Sequence, residues 1–172
     1  MHVEIIYGLC CQGDLSWWNL LVDFDTVPAV LRNSRSTSMT QKHMIYLSSP
    51  YTAKGPQNTE TERREAAWLQ AWRHQQAVNA TSALIASGYL VFSPIVYSVP
   101  LVERGGMGTA WSDWAEYDKE FISHCQAFAI LKILGWREST GVNAELLHAI
   151  GLRLKLLEVD PDIFELRPLR KE

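Results

Sequence analysis

The sequence predicts an α/β protein, a doubly wound and mostly parallel sheet with helices on both faces. Short, nearly continuous apolar runs recur at Met44 to Ser48, Tyr89 to Ser93, Ala127 to Leu134 and Leu154 to Val159, the pattern of strands covered on both sides. Helical stretches separate them, and such alternation builds parallel crossovers. The 172 residues, 47% hydrophobic and 20% charged, suffice for one domain with its own core.

Residues 1 to 43 differ in character from the rest of the chain. An apolar stretch with Trp17 and Trp18 leads through Asp23 and Asp25 to the polar run Asn33-Ser34-Arg35-Ser36-Thr37-Ser38, a linker signal. The expected division is an extension and linker over 1 to 43, poorly ordered, and an α/β domain over 44 to 172. Met39 leaves two readings of the first 38 residues, a weakly structured extension or mistranslated upstream sequence.

Within the domain, Met44 to Ser48 is a strand closed by Ser49-Pro50, a turn pair. Asn58 to Ser87 lacks proline and glycine and is rich in Ala, Glu, Arg and Gln, which predicts one long helix. Gly88 stops it. Tyr89 to Ser93 is a second strand, ended by Ser93-Pro94. Ser98 to Trp111, with Pro100, Gly105, Gly106 and Gly108, reads as a long irregular loop, either a lid or a plain surface excursion. A helix over Ser112 to His124, a strand over Ala127 to Leu134, a helix over Thr140 to Leu152 and a strand over Leu154 to Val159 complete the order.

The net charge of −3 argues against a nucleic-acid polymer as partner, because counterion release needs a concentrated basic face. A small nucleotide is still allowed. Cys10, Cys11 and Cys125 form no CxxC pair or zinc spacing, which suits a reducing cytoplasm. No apolar run reaches a membrane span, and Glu4 and Asp14 stand where a signal peptide wants a basic start.

In a doubly wound sheet ligands bind outside the carboxyl ends of the strands. Chemistry is therefore sought at Ser48 to Tyr51, Ser93 to Tyr97 and Gly135 to Glu145. Ser139, Thr140 and Gly141 open a helix, where unpaired N–H groups welcome an anion; Ser139 or Thr140 is equally a plain N-cap. Glu145 falls on the inward stripe between Val142 and Ala149, where a carboxylate needs hydrogen-bond donors. Tyr46 can supply one if its strand is central. The rival reading is a glutamate touching water at the edge of the stripe. Asp118 borders the apolar face set by Phe121 and Ile122. Trp111, Trp114 and Trp136 border the same crevice and are candidates for stacking a base.

Other patterns lead nowhere. Glu145-Leu146-Leu147-His148 has the Glu-x-x-His spacing of di-metal bundles but no second copy. No metal or organic cofactor is expected. Gly105-Gly106-Met107-Gly108 lacks the GxGxxG spacing.

Three segments, Ile45-Tyr46-Leu47-Ser48-Ser49-Pro50-Tyr51, Tyr117-Asp118-Lys119-Glu120-Phe121-Ile122 and Ser139-Thr140-Gly141-Val142-Asn143-Ala144-Glu145-Leu146, together resemble the nucleoside 2-deoxyribosyltransferase superfamily. Within it the chain is similar to the 2'-deoxynucleoside 5'-phosphate N-hydrolases and to an uncharacterised bacterial and phage family sharing the Ser-Pro turns and Gly135-Trp136. The resemblance covers Met44 to Pro161 and implies a flavodoxin-like or Rossmann-like fold. It implies cleavage of the N-glycosidic bond of 2'-deoxynucleosides or their 5'-monophosphates, by hydrolysis or base exchange. Glu145 would attack the anomeric carbon, Asp118 would assist the leaving base, and Tyr46 would orient Glu145. Ser48, Ser139 and Gly141 would hold the phosphate, with Pro50, Tyr51, Ser93 and Asn143 as further substrate-binding residues. The arginine-bearing glycine loop of the N-hydrolases is replaced by Ser49-Pro50-Tyr51-Thr52-Ala53-Lys54. A homo-oligomer is implied by the resemblance alone.

The alternative is a nucleotide-binding or sensing module of the same fold without turnover. A third reading comes from Gly105-Gly106-Met107-Gly108-Thr109, which is similar to the PGGxGTxxE signature of cytokinin-activating phosphoribohydrolases. It is poorer, since Arg104 and Ser112 replace its proline and glutamate.

Overall fold

The computed structural model describes residues 43 to 170, so the expectations for the N-terminal extension fall outside the described residues, His43 apart. In chain order the elements are β1 (Met44–Ser48), α1 (Glu60–Ala86), β2 (Leu90–Phe92), α2 (Pro94–Gly105), α3 (Trp111–Ser123), β3 (Ala127–Leu131), α4 (Thr140–Gly151), β4 (Lys155–Val159) and β5 (Leu166–Pro168). The sheet order is β2-β1-β3-β4-β5. All pairings are parallel except β4 with β5. The fold class is therefore the α/β one expected.

Strand alternation sorts the core into two halves. Ile45, Leu47, Ala127, Ala129 and Leu131 turn toward Ala80 and Leu84 of α1. Tyr46, Phe128 and Ile130 turn the other way, toward Ile122 of α3 and Val142 and Ala149 of α4. Buried apolar groups on both faces explain why β1 and β3 read as continuous hydrophobic runs.

The helix ends are made by local chemistry. Thr59 Oγ1 accepts from the Glu62 N–H at 3.2 Å, while Glu62 Oε2 accepts from the Thr59 N–H at 2.9 Å, a reciprocal cap at the start of α1. At its other end Gly88, at φ 91°, lets its N–H reach Ile85 and that of Tyr89 reach Leu84. The same two bonds close α4, from Arg153 to Ile150 and from Leu154 to Ala149. There the left-handed residue is Arg153, at φ 58°.

Two expectations are corrected. Most of the predicted loop from Ser98 onward belongs to α2, which starts at Pro94 and runs through Pro100. Proline at the first helical position is preorganised for a helix, and Pro100 forfeits a single backbone bond while Ser98 and Val99 beside it are buried. Only the stretch after the left-handed Gly106 is a loop. The strand expected over Ala127 to Leu134 stops at Leu131, where Ile133 begins a turn to Trp136. β5 was not expected. Its Pro168 is tolerated because it lies on an edge strand.

Candidate active site

From β1 the chain crosses to β2 on one side, and β3 crosses through α4 to β4 on the other. The order reverses between β1 and β3, which opens a crevice at their carboxyl ends. β1 delivers Tyr46 and Ser48 to the same side, two residues apart. Facing them, α4 buries Val142, Glu145 and Ala149, one stripe at helical spacing. From α3, Asp118 belongs to the buried face with Trp114, Ala115 and Ile122.

Glu145 is 7% exposed and receives a hydroxyl on each oxygen. Tyr46 donates to Oε1 at 3.1 Å, and Ser48 donates to Oε2. Asp118 is 5% exposed, and its Oδ1 has no hydrogen-bond partner. Burial, reinforced by the Asp118 charge, lifts the Glu145 carboxyl to about 8 against the pull of the Ser48 and Tyr46 hydroxyls. Burial likewise raises Asp118 to about 6, and Tyr46 opposes it. Tyr46 itself is raised, first by burial and then by both carboxylates, so it stays a donor. Its single proton stands between two acids and serves one at a time.

A cavity of about 610 Å³ opens in front of this group, a size suited to a small-molecule ligand. Glu145, Asp118, Tyr51, Ser139, Gly141 and Trp111 are among its walls. Ser49 Oγ, Trp111 Nε1 and Asp118 Oδ1 are buried without partners, and all three residues line it. Unsatisfied buried groups are rare in folded proteins. Their convergence on one void marks polar positions prepared for something other than protein.

The remaining expected residues divide. Ser139 caps α4 by accepting from the Val142 N–H at 3.3 Å, yet it stays on the cavity wall. Gly141 allows close approach of Trp111, whose Cδ1 would lie 3.0 Å from an added Cβ. Strand alternation aims Ser48, expected at the phosphate, toward Glu145, which takes its hydrogen bond. Pro50 is fully buried and is not a wall of the cavity. Nor is Ser93, buried ahead of α2 with an unpartnered hydroxyl. Asn143 points its amide to the Arg137 carbonyl at 2.8 Å, on the exposed side of α4. The glycines of the third reading end α2 and pack on α3, where Gly108 abuts the Asp113 carboxylate and its carbonyl accepts from the Trp114 indole N–H at 2.8 Å.

Sequence reasoning missed Arg73. It is buried in α1 and donates to the carbonyls of Thr52 at 2.8 Å, Tyr51 at 3.3 Å and Leu134 at 2.9 Å. It thus ties the loops after β1 and β3 together. Gly135, at φ 88°, makes the room: a Cβ there would overlap the guanidinium. Lys54, which donates to the Glu138 carbonyl, also lines the cavity. Among the described residues no helix is long and apolar enough to cross a membrane.

A family model, a domain of unknown function termed DUF1937, matches residues 43–157. That span contains β1, α4 and all the acidic and hydroxyl residues of the cavity. No curated protein matches the chain.

Proposed function

We propose that this chain, which belongs to the DUF1937 family, cleaves the N-glycosidic bond of 2'-deoxynucleosides or their 5'-monophosphates. The observation that carries the reading is the pair Glu145 and Asp118 on one cavity at the switch point, with Tyr46 and Ser48 both donating to Glu145. The resemblance to the nucleoside 2-deoxyribosyltransferase superfamily supports the same chemistry.

Breaking the bond from C1' to the base nitrogen builds positive charge on the sugar, which a nearby carboxylate stabilises and captures. The Glu145 carboxylate bonds to C1' as the bonding pair leaves with the base. Asp118 delivers a proton to that departing nitrogen. Deprotonated, Asp118 then accepts a proton from water, whose oxygen attacks C1' and frees Glu145. A second base entering instead gives exchange. Tyr46 and Ser48 hold the glutamate in place and disperse its charge. Trp111 offers a ring face, and the first turn of α4 at Thr140 and Gly141 offers N–H groups for an anionic substituent. Each step uses only groups of the chain and water. A cytoplasmic homo-oligomer acting on small molecules is part of the same proposal.

Incubation with a panel of 2'-deoxynucleosides and 5'-monophosphates, followed by chromatography for free base, tests it. Wild type should release base. Glu145→Ala should lose at least about a thousandfold in rate with its circular dichroism unchanged. Nucleotide binding without base release would favour the sensing module instead, and full activity of Glu145→Ala would refute the nucleophile.

A further inference from the structure

The cavity in front of Glu145 shares Thr52, Lys54 and Ser139 with a second one of about 500 Å³. The cations around the second are answered by the protein itself. Arg73 donates to three carbonyls, Lys132 pairs with Glu158 at 3.1 Å, and the Arg137 guanidinium lies 4.6 Å from the centre of the Trp136 ring. The unanswered groups belong to the first cavity. Besides Asp118, they are the hydroxyl of Ser49, a residue only 6% exposed, and the indole N–H of Trp111. A buried donor left unbonded is costly, and a ligand acceptor relieves it.

The indole N–H stands at the opening of α4. Cδ1 of Trp111 lies 3.0 Å, and Nε1 3.8 Å, from the point where a side chain on Gly141 would begin. Here Ser139 Oγ already takes the Val142 N–H, and the Ser139 carbonyl takes that of Asn143. The N–H groups of Thr140 and Gly141, in the first turn, have no carbonyl to reach within the helix, and they carry the positive end of its dipole. The indole adds a third donor to this end. One face of the same ring lies against Lys119, whose Nζ is 5.7 Å from its centre, so the N–H edge is separate from that contact. From Gly141 to Glu145 the helix rises about 6 Å, comparable with the reach across a single pentose from C1' to its 5'-phosphate.

We infer that Trp111 sets substrate choice by donating its indole N–H to the 5'-phosphate beside the Thr140 and Gly141 N–H groups, so that the site takes 2'-deoxynucleoside 5'-monophosphates and rejects the unphosphorylated nucleosides. The inference rests on the reading of Glu145 as the group that meets C1'. A nucleoside brings only a neutral 5'-hydroxyl to this end and leaves donors unbonded. A phosphate brings charged oxygens, whose hydrogen bonds are stronger. A site built to bond a group discriminates well against the analogue that lacks it.

Trp111→Phe keeps a ring and removes the N–H. In proton–nitrogen correlation spectra, the indole cross-peak missing from Trp111→Phe should move downfield in wild type as inorganic phosphate is added. In base release, wild type should favour monophosphate over nucleoside at least about a hundredfold in kcat/KM. Trp111→Phe should lose at least about tenfold of that ratio, chiefly through KM, with its circular dichroism unchanged. Gly141→Ala, which sets a methyl against the indole, should lower the same ratio. An unmoved cross-peak, equal cleavage of nucleoside and monophosphate, or an equal loss on both substrates in Trp111→Phe overturns the inference and leaves the glycosidase standing. A phosphate-driven shift with no base released from any substrate keeps the donor and removes the glycosidase.

Discussion

At the residue scale the decisive feature is a pair of buried acids that together hold one proton near neutrality. With Glu145 raised to about 8 and Asp118 to about 6, the singly protonated pair predominates between those values, whichever carboxyl carries the proton. The proposed reaction needs one carboxylate and one acid. The pH profile of kcat/KM should therefore be bell-shaped with its maximum near 7; a flat profile from 5 to 9 contradicts the pairing. Removing the Ser48 hydroxyl takes away the larger of two effects that lower Glu145. Ser48→Ala should move the alkaline limb upward and cost roughly 10- to 100-fold in rate, the worth of one charge-assisted hydrogen bond. The same burial sets stability against pH. The folded pair keeps its last proton up to about 8, well above the unfolded glutamate value, so stability falls as pH rises through that window and levels off above it. Urea unfolding should show wild type weaker at pH 8 than at pH 6, by at most about 1.4 kcal/mol per pH unit. In Glu145→Gln that decline should vanish. The acidic residues were legible from spacing, because Val142, Glu145 and Ala149 mark a buried stripe. The role of Ser48 was not: a serine at a strand end reads alike as phosphate ligand or glutamate partner until the facing helix is known.

At the element scale, most of the order was legible because β1, β3 and α1 carry strong local signals. β3 is apolar throughout and β1 is so up to its final Ser48, and α1 lacks glycine and proline over its whole length. α2 was hidden by its own punctuation, since Pro94, Pro100 and the glycines beyond it all spell loop. Tertiary burial of Ser98 and Val99 overrides that spelling. β5 has only Leu166, Arg167 and Pro168, and it exists because β4 offers an edge to pair with. Arg73 was missed for a related reason. An arginine within a charged helix reads as solvated, and only the fold of the β3 loop places Gly135 above it. The terminus of α4 gives a test at this scale. Arg153 occupies a left-handed position, at φ 58°, that glycine adopts freely and other residues adopt at about 1 kcal/mol or more. Arg153→Gly should raise the unfolding free energy by roughly 0.5–1 kcal/mol after the added freedom of the unfolded chain is subtracted. A loss of stability in chemical denaturation would contradict the αL cap. At the other helix, Thr59→Ala should cost about 1 kcal/mol by removing the reciprocal cap of α1.

At the scale of the whole molecule, the order β2-β1-β3-β4-β5 puts the reversal of direction, the buried acids and two adjoining cavities at one end of the sheet. The fold class was readable from the alternation of elements alone. The site followed from it in outline, because a doubly wound sheet confines chemistry to its carboxyl edge. The partition of that edge into two adjoining cavities was not readable, since Arg73 comes from α1 and Lys132 and Arg137 from the loop after β3, and the two segments meet only in the folded domain. A ligand that spans the edge should stabilise the fold by mass action, by about 2.7 kcal/mol at a hundred times its dissociation constant. The inactive Glu145→Gln protein should show this thermal shift with a deoxynucleotide and none with the free base. The measurement nearest the central claim is acid-quench mass spectrometry of wild type during turnover. The account predicts a peptide containing Glu145 that is heavier by the deoxyribosyl moiety of the substrate and absent from Glu145→Gln. Base release at full rate with that peptide unmodified, or an adduct on another residue, would contradict it.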